Sequence, residues 1–291
     1  HRFRDAGLYG EYVRRAVLLA TIGVVVVAGI DREAATVAAI TVAVETVIAA
    51  AVIARIDRTT RSHTTRPVVL DDRSLRRRGI SFVLPTIDAP LLPQAGVWIL
   101  ALVRPSDEVA LLSVGIGISF IFGLPVFAGA RVLGPRYARA RADGRKLTTL
   151  EPLARRHANV SFAFVALVTL GLVLFGEWAV GLVFGDQFRD AATVAVIIGL
   201  GAVVNAATGT CGSALMHCGH ERVVGLTALI AAVTYVVLGL ALGNRWGANG
   251  VAAAAALVIS SRNLYLAAAA RHRLGLTTWI GRSGTAPSTD P

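Results

Sequence analysis

Eight apolar runs, near 13–30, 34–54, 79–103, 109–130, 158–183, 191–215, 223–243 and 250–270, fix the solvent of this chain before any other feature does. A hydrocarbon core of about 30 Å takes about 20 helical residues to cross, and each run approaches or exceeds that length. Segments of alternating polarity, which a membrane barrel would need, are absent, so helices are the only spanning structure left. With 55% hydrophobic and 16% charged residues the chain is also too apolar for a soluble domain of ordinary make-up. The sequence predicts an all-α, polytopic membrane protein with eight transmembrane helices.

Positive charge orients such a protein, because Lys and Arg collect on the cytoplasmic side. Assigning alternate connections to one side gathers 24 of the 29 Lys and Arg residues there, 8 of them in 55–78 and 8 in 131–157. The other side holds Arg32, Arg104, Arg189 and Arg245, while Arg262 falls inside a span. Both ends of the chain are therefore expected in the cytoplasm, with the protein a multi-pass component of the cell inner (plasma) membrane. Runs such as Arg76–Arg78 would lie against anionic headgroups, so membrane lipids account for the net charge of +11 and no nucleic acid is needed as a partner.

The connections divide the chain. The basic stretch 55–78 separates two spans from six and reads as a cytoplasmic linker between a first helix pair, 1–54, and a six-helix lobe, 79–270. Residues 271–291 form a cytoplasmic tail whose end, "RSGTAPSTDP", is polar, small and expected to be disordered. The chain opens on "HRFRDAGLYGEYVRRA", which reads as the entry to a helix already under way, so a longer protein is expected.

One span breaks the rules for an anchor. "ISFVLPTIDAPLLPQAGVWILALV", 80–103, contains Pro85, Asp88, Pro90, Pro93 and Gln94. Each proline removes a backbone donor, and an ionised group at depth costs a few kcal/mol or more. At about 1.5 Å per residue Asp88 lies about 13 Å into its helix, and Glu45 and Arg262 fall at matching depth in theirs, which places two carboxylates and one arginine in a single layer. Ions at such depth pair with one another or face water. Asn205 and Asn263 add polar lining. An arginine in a cavity suits an anionic cargo, because its planar fork binds phosphate through two donors.

Chemistry of other kinds finds no support. "CGSALMHCGH" brings Cys211, Cys218, His217 and His220 close in sequence, but the spacing matches no known zinc pair, so two buried structural thiols without a disulfide are expected. There is no glycine loop before a lysine and no nucleophile with a base at motif spacing. No catalytic residue, metal or cofactor is expected, and the protein reads as a non-enzyme.

The stretch from "WAVGLVFGDQF" to "NRWGANGVAAAAALVI" resembles the C-terminal part of polysaccharide flippases of the MOP (multidrug/oligosaccharidyl-lipid/polysaccharide) exporter superfamily. Phe184 and Gly185 match a Phe-Gly turn after a span. Leu215, Gly219 and Arg222 match the end of a small-residue helix, and Gly247 and Gly250 match a Gly-x-x-Gly before the last helix. The resemblance covers 79–270 as a whole second lobe, with 13–54 as the last two helices of a first lobe and about four further spans before them.

That resemblance implies alternating access, two lobes rocking about a central cavity, with the proline-broken helix bending at Pro85, Pro90 and Pro93 as hinge and cavity wall. It implies a bacterial transporter of polyprenyl-pyrophosphate-linked oligosaccharide, moved from inner to outer leaflet for cell-surface polysaccharide assembly. Its partners would be the lipid-linked glycan and glycan-assembly proteins. The cavity candidates are Arg262, Asp88, Glu45, Gln94, Asn205 and Asn263. A cation-coupled drug antiporter using Glu45 and Asp88, or a peptidoglycan-precursor flippase, would share the fold. A membrane glycan polymerase would need a sizeable outer loop, and the outer turns "RPSDE", "FGDQFRD" and "NRWGANG" are too short for one.

Overall fold

The computed structural model describes residues 94–281 and the single position 47. The chain divides into two units, His1–Asp71 and Asp72–Pro291, and residues 94–281 belong to the second. The expected spans at 13–30 and 34–54, the linker 55–78, and Glu45, Pro85, Asp88, Pro90 and Pro93 lie outside the described residues.

Among the described residues the fold is helical, with no strand. The described residues open within a helix, α1, which runs through 94–101 and leads into α2 (Ser106–Ala142), α3 (Glu151–Phe184), α4 (Ala191–Thr208), α5 (Cys211–His217) and α6 (Glu221–Leu274). Four stretches are long and apolar enough to cross a membrane: Ser106–Ala142, Leu147–Phe184, Asp186–Thr208 and Glu221–Leu274. The last is a hairpin. Gly247, at φ 57° and ψ −137°, breaks the 54-residue helix into two arms. The arms pack along their length, Val224 near Leu266 at one end and Tyr235 near Val251 toward the other. The expected spans 223–243 and 250–270 are these arms.

The packing pattern is that of a bundle in hydrocarbon. On α3 the buried positions are small or short, among them Ala154, Ala158, Ser161, Thr169 and Gly176. Its exposed positions include Phe164, Leu167, Leu174, Phe175, Trp178 and Leu182. A soluble helix would reverse this order. In lipid no hydrophobic force separates the two faces, so association rests on close backbone approach, which small residues allow. A Cβ on Gly201 of α4 would lie 2.7 Å from Cα of Ala256 on α6, so no larger residue fits there without movement.

The ends of the bundle differ in charge. Arg139, Arg141, Arg155, Arg156, Arg222, Arg271 and Arg273 lie at or near the ends of α2, α3 and α6 that meet around Leu133, Tyr137, Ala154, Cys218 and Leu276. The opposite end carries Arg104, Arg189 and Arg245.

Several boundaries differ from the sequence expectation. The connection expected over 131–157 is mostly helix: α2 continues to Ala142 and α3 begins at Glu151. Polar residues can extend a helix beyond the apolar layer at no hydrogen-bonding cost, so hydropathy alone ends it early. The span expected over 191–215 is interrupted between Thr208 and Cys211. The tail expected from 271 is helical to Leu274, and residues 275–281 pack back on the bundle, burying Leu276 and Thr278.

Candidate functional site

A cavity of about 370 Å³ opens between α2, α4, α5 and both arms of α6. Its wall is mainly aliphatic, with Ser119, Asn205, Tyr235, Arg262 and Asn263 supplying polar groups. An apolar recess with a few convergent polar groups is the ordinary form of a small-molecule site, and helix bundles place such sites between their helices. Arg262 is the one side chain of formal charge among the described lining residues.

Each polar group is held by its element. Arg262 and Asn263 are neighbours on the second arm of α6, about 18 Å of helix short of Leu274. The Asn263 amide donates to the Ile259 carbonyl at 2.9 Å. Asn205 stands on α4, just before the break in the helix. Ser119 on α2 donates to the Ile116 carbonyl at 2.7 Å.

The break itself is built from this sequence. Gly209 has φ 70° and ψ −143°, and a Cβ there would collide with the backbone oxygen of Thr278. Chain reversal out of α4 and the close passage of the C-terminal segment both demand glycine. The carbonyls that α4 leaves unpaired are taken up by that segment: Thr278 Oγ1 donates to the Thr208 carbonyl at 2.8 Å, and the Ile280 amide to the Ala207 carbonyl at 2.9 Å. On the other flank the Tyr137 hydroxyl is 2.9 Å from Thr210 Oγ1, both residues being buried. Gly212 and Met216 of α5, beyond the break, then join the cavity wall.

The tip of the α6 hairpin, at Gly247, is clamped as firmly. Arg104 Nη2 donates to the Asn244 carbonyl at 2.7 Å and its Nε to the Gly243 carbonyl at 3.2 Å, covering the open end of the first arm. Glu108 Oε2 accepts from the Ala248 amide at 3.2 Å at the start of the second arm. Arg104 and Glu108 are themselves paired at 3.4 Å. An arginine on C-terminal carbonyls and a carboxylate on an N-terminal amide both complement the helix dipole. Gly250 is needed for the crossing, since a Cβ there would collide with the Leu242 carbonyl.

Of the residues singled out from sequence, Arg262, Asn205 and Asn263 line one cavity. Gln94, on α1, is exposed and is not among the described lining residues. Cys211 and Cys218 are both buried, as free thiols, in separate apolar clusters. Burial pushes the Cys218 thiol above its usual pKa, with Arg141 nearby drawing it back in part. Among the described residues no cluster of metal-ligating side chains forms.

Other groups were passed over in the sequence. Ser119, Met216 and Tyr235 line the cavity although nothing in their neighbourhoods distinguishes them from packing residues, apart from Met216 being the single methionine. Glu177 is a further charge within an apolar helix, exposed on α3 beside Trp178, and a charged position in a membrane-length run is a signal that hydropathy averages away. No protein-family model matches the chain, and neither a curated protein nor a solved structure matches it.

Proposed function

We propose that the protein is a plasma-membrane transporter that moves an anionic lipid-linked oligosaccharide, a polyprenyl-pyrophosphate glycan, from the inner to the outer leaflet by alternating access. The observation that carries this reading is the cavity chemistry: an apolar chamber in a bundle of membrane-length helices, with one arginine and two asparagines in its wall. Arginine offers five donors in a fixed fork that suits a phosphate, and asparagine amides suit sugar hydroxyls. A chamber of about 370 Å³ accommodates the diphosphate and its nearest sugar rather than a whole glycan, so the remainder would extend beyond the chamber.

The competing cation-antiporter reading rests on Glu45 and Asp88, which lie outside the described residues; what favours an anionic cargo is the arginine in the described wall. The polymerase reading has less support, because among the described residues the connections at the arginine-poor end, 185–190 between α3 and α4 and the turn at Gly247 between the arms of α6, are too short to hold a domain.

Binding in nanodiscs of a polyprenyl-diphosphate disaccharide, with the neutral polyprenol as control, tests the reading. Arg262→Ala should weaken binding at least about tenfold, the effect of losing a charge-assisted pair of about 1.5–3 kcal/mol, and Arg262→Lys should recover part of it. Equal affinity for diphosphate and neutral lipid would remove the anionic-cargo reading.

A further inference from the structure

The short helix α5 is built as a separate piece. Gly209 before it has φ 70° and Gly219 after it φ 85°, so a glycine of positive φ stands at each end. A Cβ on Gly219 would meet nothing within 4 Å, so glycine there answers to the backbone angle and not to crowding. Two apolar clusters hold the helix between these points. Cys211 and Leu215 are buried with Val224, Leu266 and Ala270 of α6, and Ala214 and Cys218 with Leu133 and Tyr137 of α2. The first cluster also floors the central cavity. Met216, Val224 and Leu266 belong to it, and they are the described lining residues of α5 and of the two α6 arms that lie nearest the arginine-rich end.

The segment 275–281 reaches both clusters. Leu276 is wholly buried in the one against α2, and Trp279 packs on the one against α6. The remaining ties of the segment are polar and dispersed. The Thr277 amide donates to Glu151 Oε2 at 3.4 Å, and Thr278 and Ile280 hold the last carbonyls of α4. At its end the Asn159 side chain exchanges two hydrogen bonds with the Gly281 backbone, each of 3.1 Å and exposed to solvent. The Arg271 guanidinium lies 5.4 Å from the Trp279 ring. Net contributions of such bonds are modest, and those in contact with water exchange for water at little cost. The segment can therefore leave without any helix unfolding, whereas α5 cannot leave while Leu276 and Trp279 sit in its two clusters.

We infer that residues 275–281 are a releasable strap that holds α5 as a flap over the central cavity at the arginine-rich end. With the strap down, α5 is pinned against α2 and α6. With the strap off, α5 turns on Gly209 and Gly219, its apolar contacts part, and the cavity opens between α5 and the arms of α6. The inference deepens the transport reading by naming what controls access to its cavity; it rests on that cavity and on no particular cargo.

Cys211 and Cys218, free and buried on the two sides of α5, report the flap directly. The full chain in nanodiscs would be alkylated with N-ethylmaleimide and each thiol quantified by peptide mass spectrometry. Asn159→Ala removes the exposed pair at the end of the strap and Trp279→Ala its packing; neither residue lies on α5. Both thiols should react about fivefold faster in Asn159→Ala, the factor for the loss of a hydrogen-bonded tie, and faster still in Trp279→Ala. The thiol of Val251→Cys, placed in the separate cluster near the hairpin tip, should react no faster, since only global unfolding exposes it. Unchanged rates at Cys211 and Cys218, acceleration of Cys218 alone, or equal acceleration at Val251→Cys would each overturn the strap. Binding of the polyprenyl-diphosphate disaccharide keeps the two readings apart. Accelerated flap thiols without that binding leave the strap standing and sink the cargo; binding with unaccelerated thiols does the reverse.

Discussion

Glu108 and Arg104 show how a pair that looks like ordinary turn chemistry in "RPSDE" organises the longest helix. The two side chains cover opposite helix ends at Gly247, one by accepting from Ala248 and the other by donating to Gly243 and Asn244. Glu108→Ala should lower stability by about 1–2 kcal/mol, the usual cost of removing an N-cap, measurable as a fall in unfolding midpoint in detergent. Glu108→Gln, which keeps an acceptor but loses the charge, should cost less. The sequence shows a charged outer turn but cannot show its partner, because 140 residues separate Glu108 from Ala248. Arg262 is the opposite case: a lone arginine in an apolar run stands out from sequence alone, and Asn263 beside it does too. Tyr235 and Ser119 share the same wall and were invisible, since an aromatic or a serine on a helix face carries no mark of which face that is.

At the scale of elements the two breaks were unequally legible. The Gly-x-x-Gly at 247–250 follows an apolar run and precedes another, so the hairpin in α6 could be read directly from the pattern. The break between α4 and α5 could not, because "NAATGTCGSALM" keeps helical composition through Gly209. What fixes that break is tertiary: the Tyr137 hydroxyl on Thr210 and the strap 275–281 on the exposed carbonyls. Thr278→Val should therefore cost about 1 kcal/mol through the orphaned Thr208 carbonyl, whereas Thr277, whose hydroxyl takes no part in that contact, should tolerate valine. Limited proteolysis after Gly275 offers the readout, with faster cleavage expected in Thr278→Val. Helix-to-helix packing gives a sharper case. Gly201→Val places a side chain against the backbone of Ala256 and should destabilise the bundle by about 1–3 kcal/mol; an unchanged midpoint would mean that α4 and α6 are not packed as described.

For the described residues, hydropathy was sufficient to give the helical class, because in lipid only helices and closed barrels satisfy backbone groups and the barrel pattern is absent; it gave α1, α2, α3 and the two arms of α6 as separate runs and merged α4 with α5. It misjudged where they end, since the arginine-rich extensions of α2 and α3 remain helical outside the apolar layer. By the charge asymmetry we propose that the arginine-rich end faces the cytoplasm. Arg139→Cys should accordingly resist an impermeant maleimide added to intact cells, while Asp107→Cys at the other end should react. The reverse pattern would invert the topology. The central claim is that the chamber around Arg262 is the path of an anionic glycan lipid. Its most direct measurement is surface glycan in a bacterial host lacking its own lipid-glycan flippase, normalised to the membrane level of the full-length protein. The account predicts that wild type restores export, that Arg262→Ala abolishes it at equal protein level, and that Arg262→Lys recovers it in part; normal export by Arg262→Ala would contradict it.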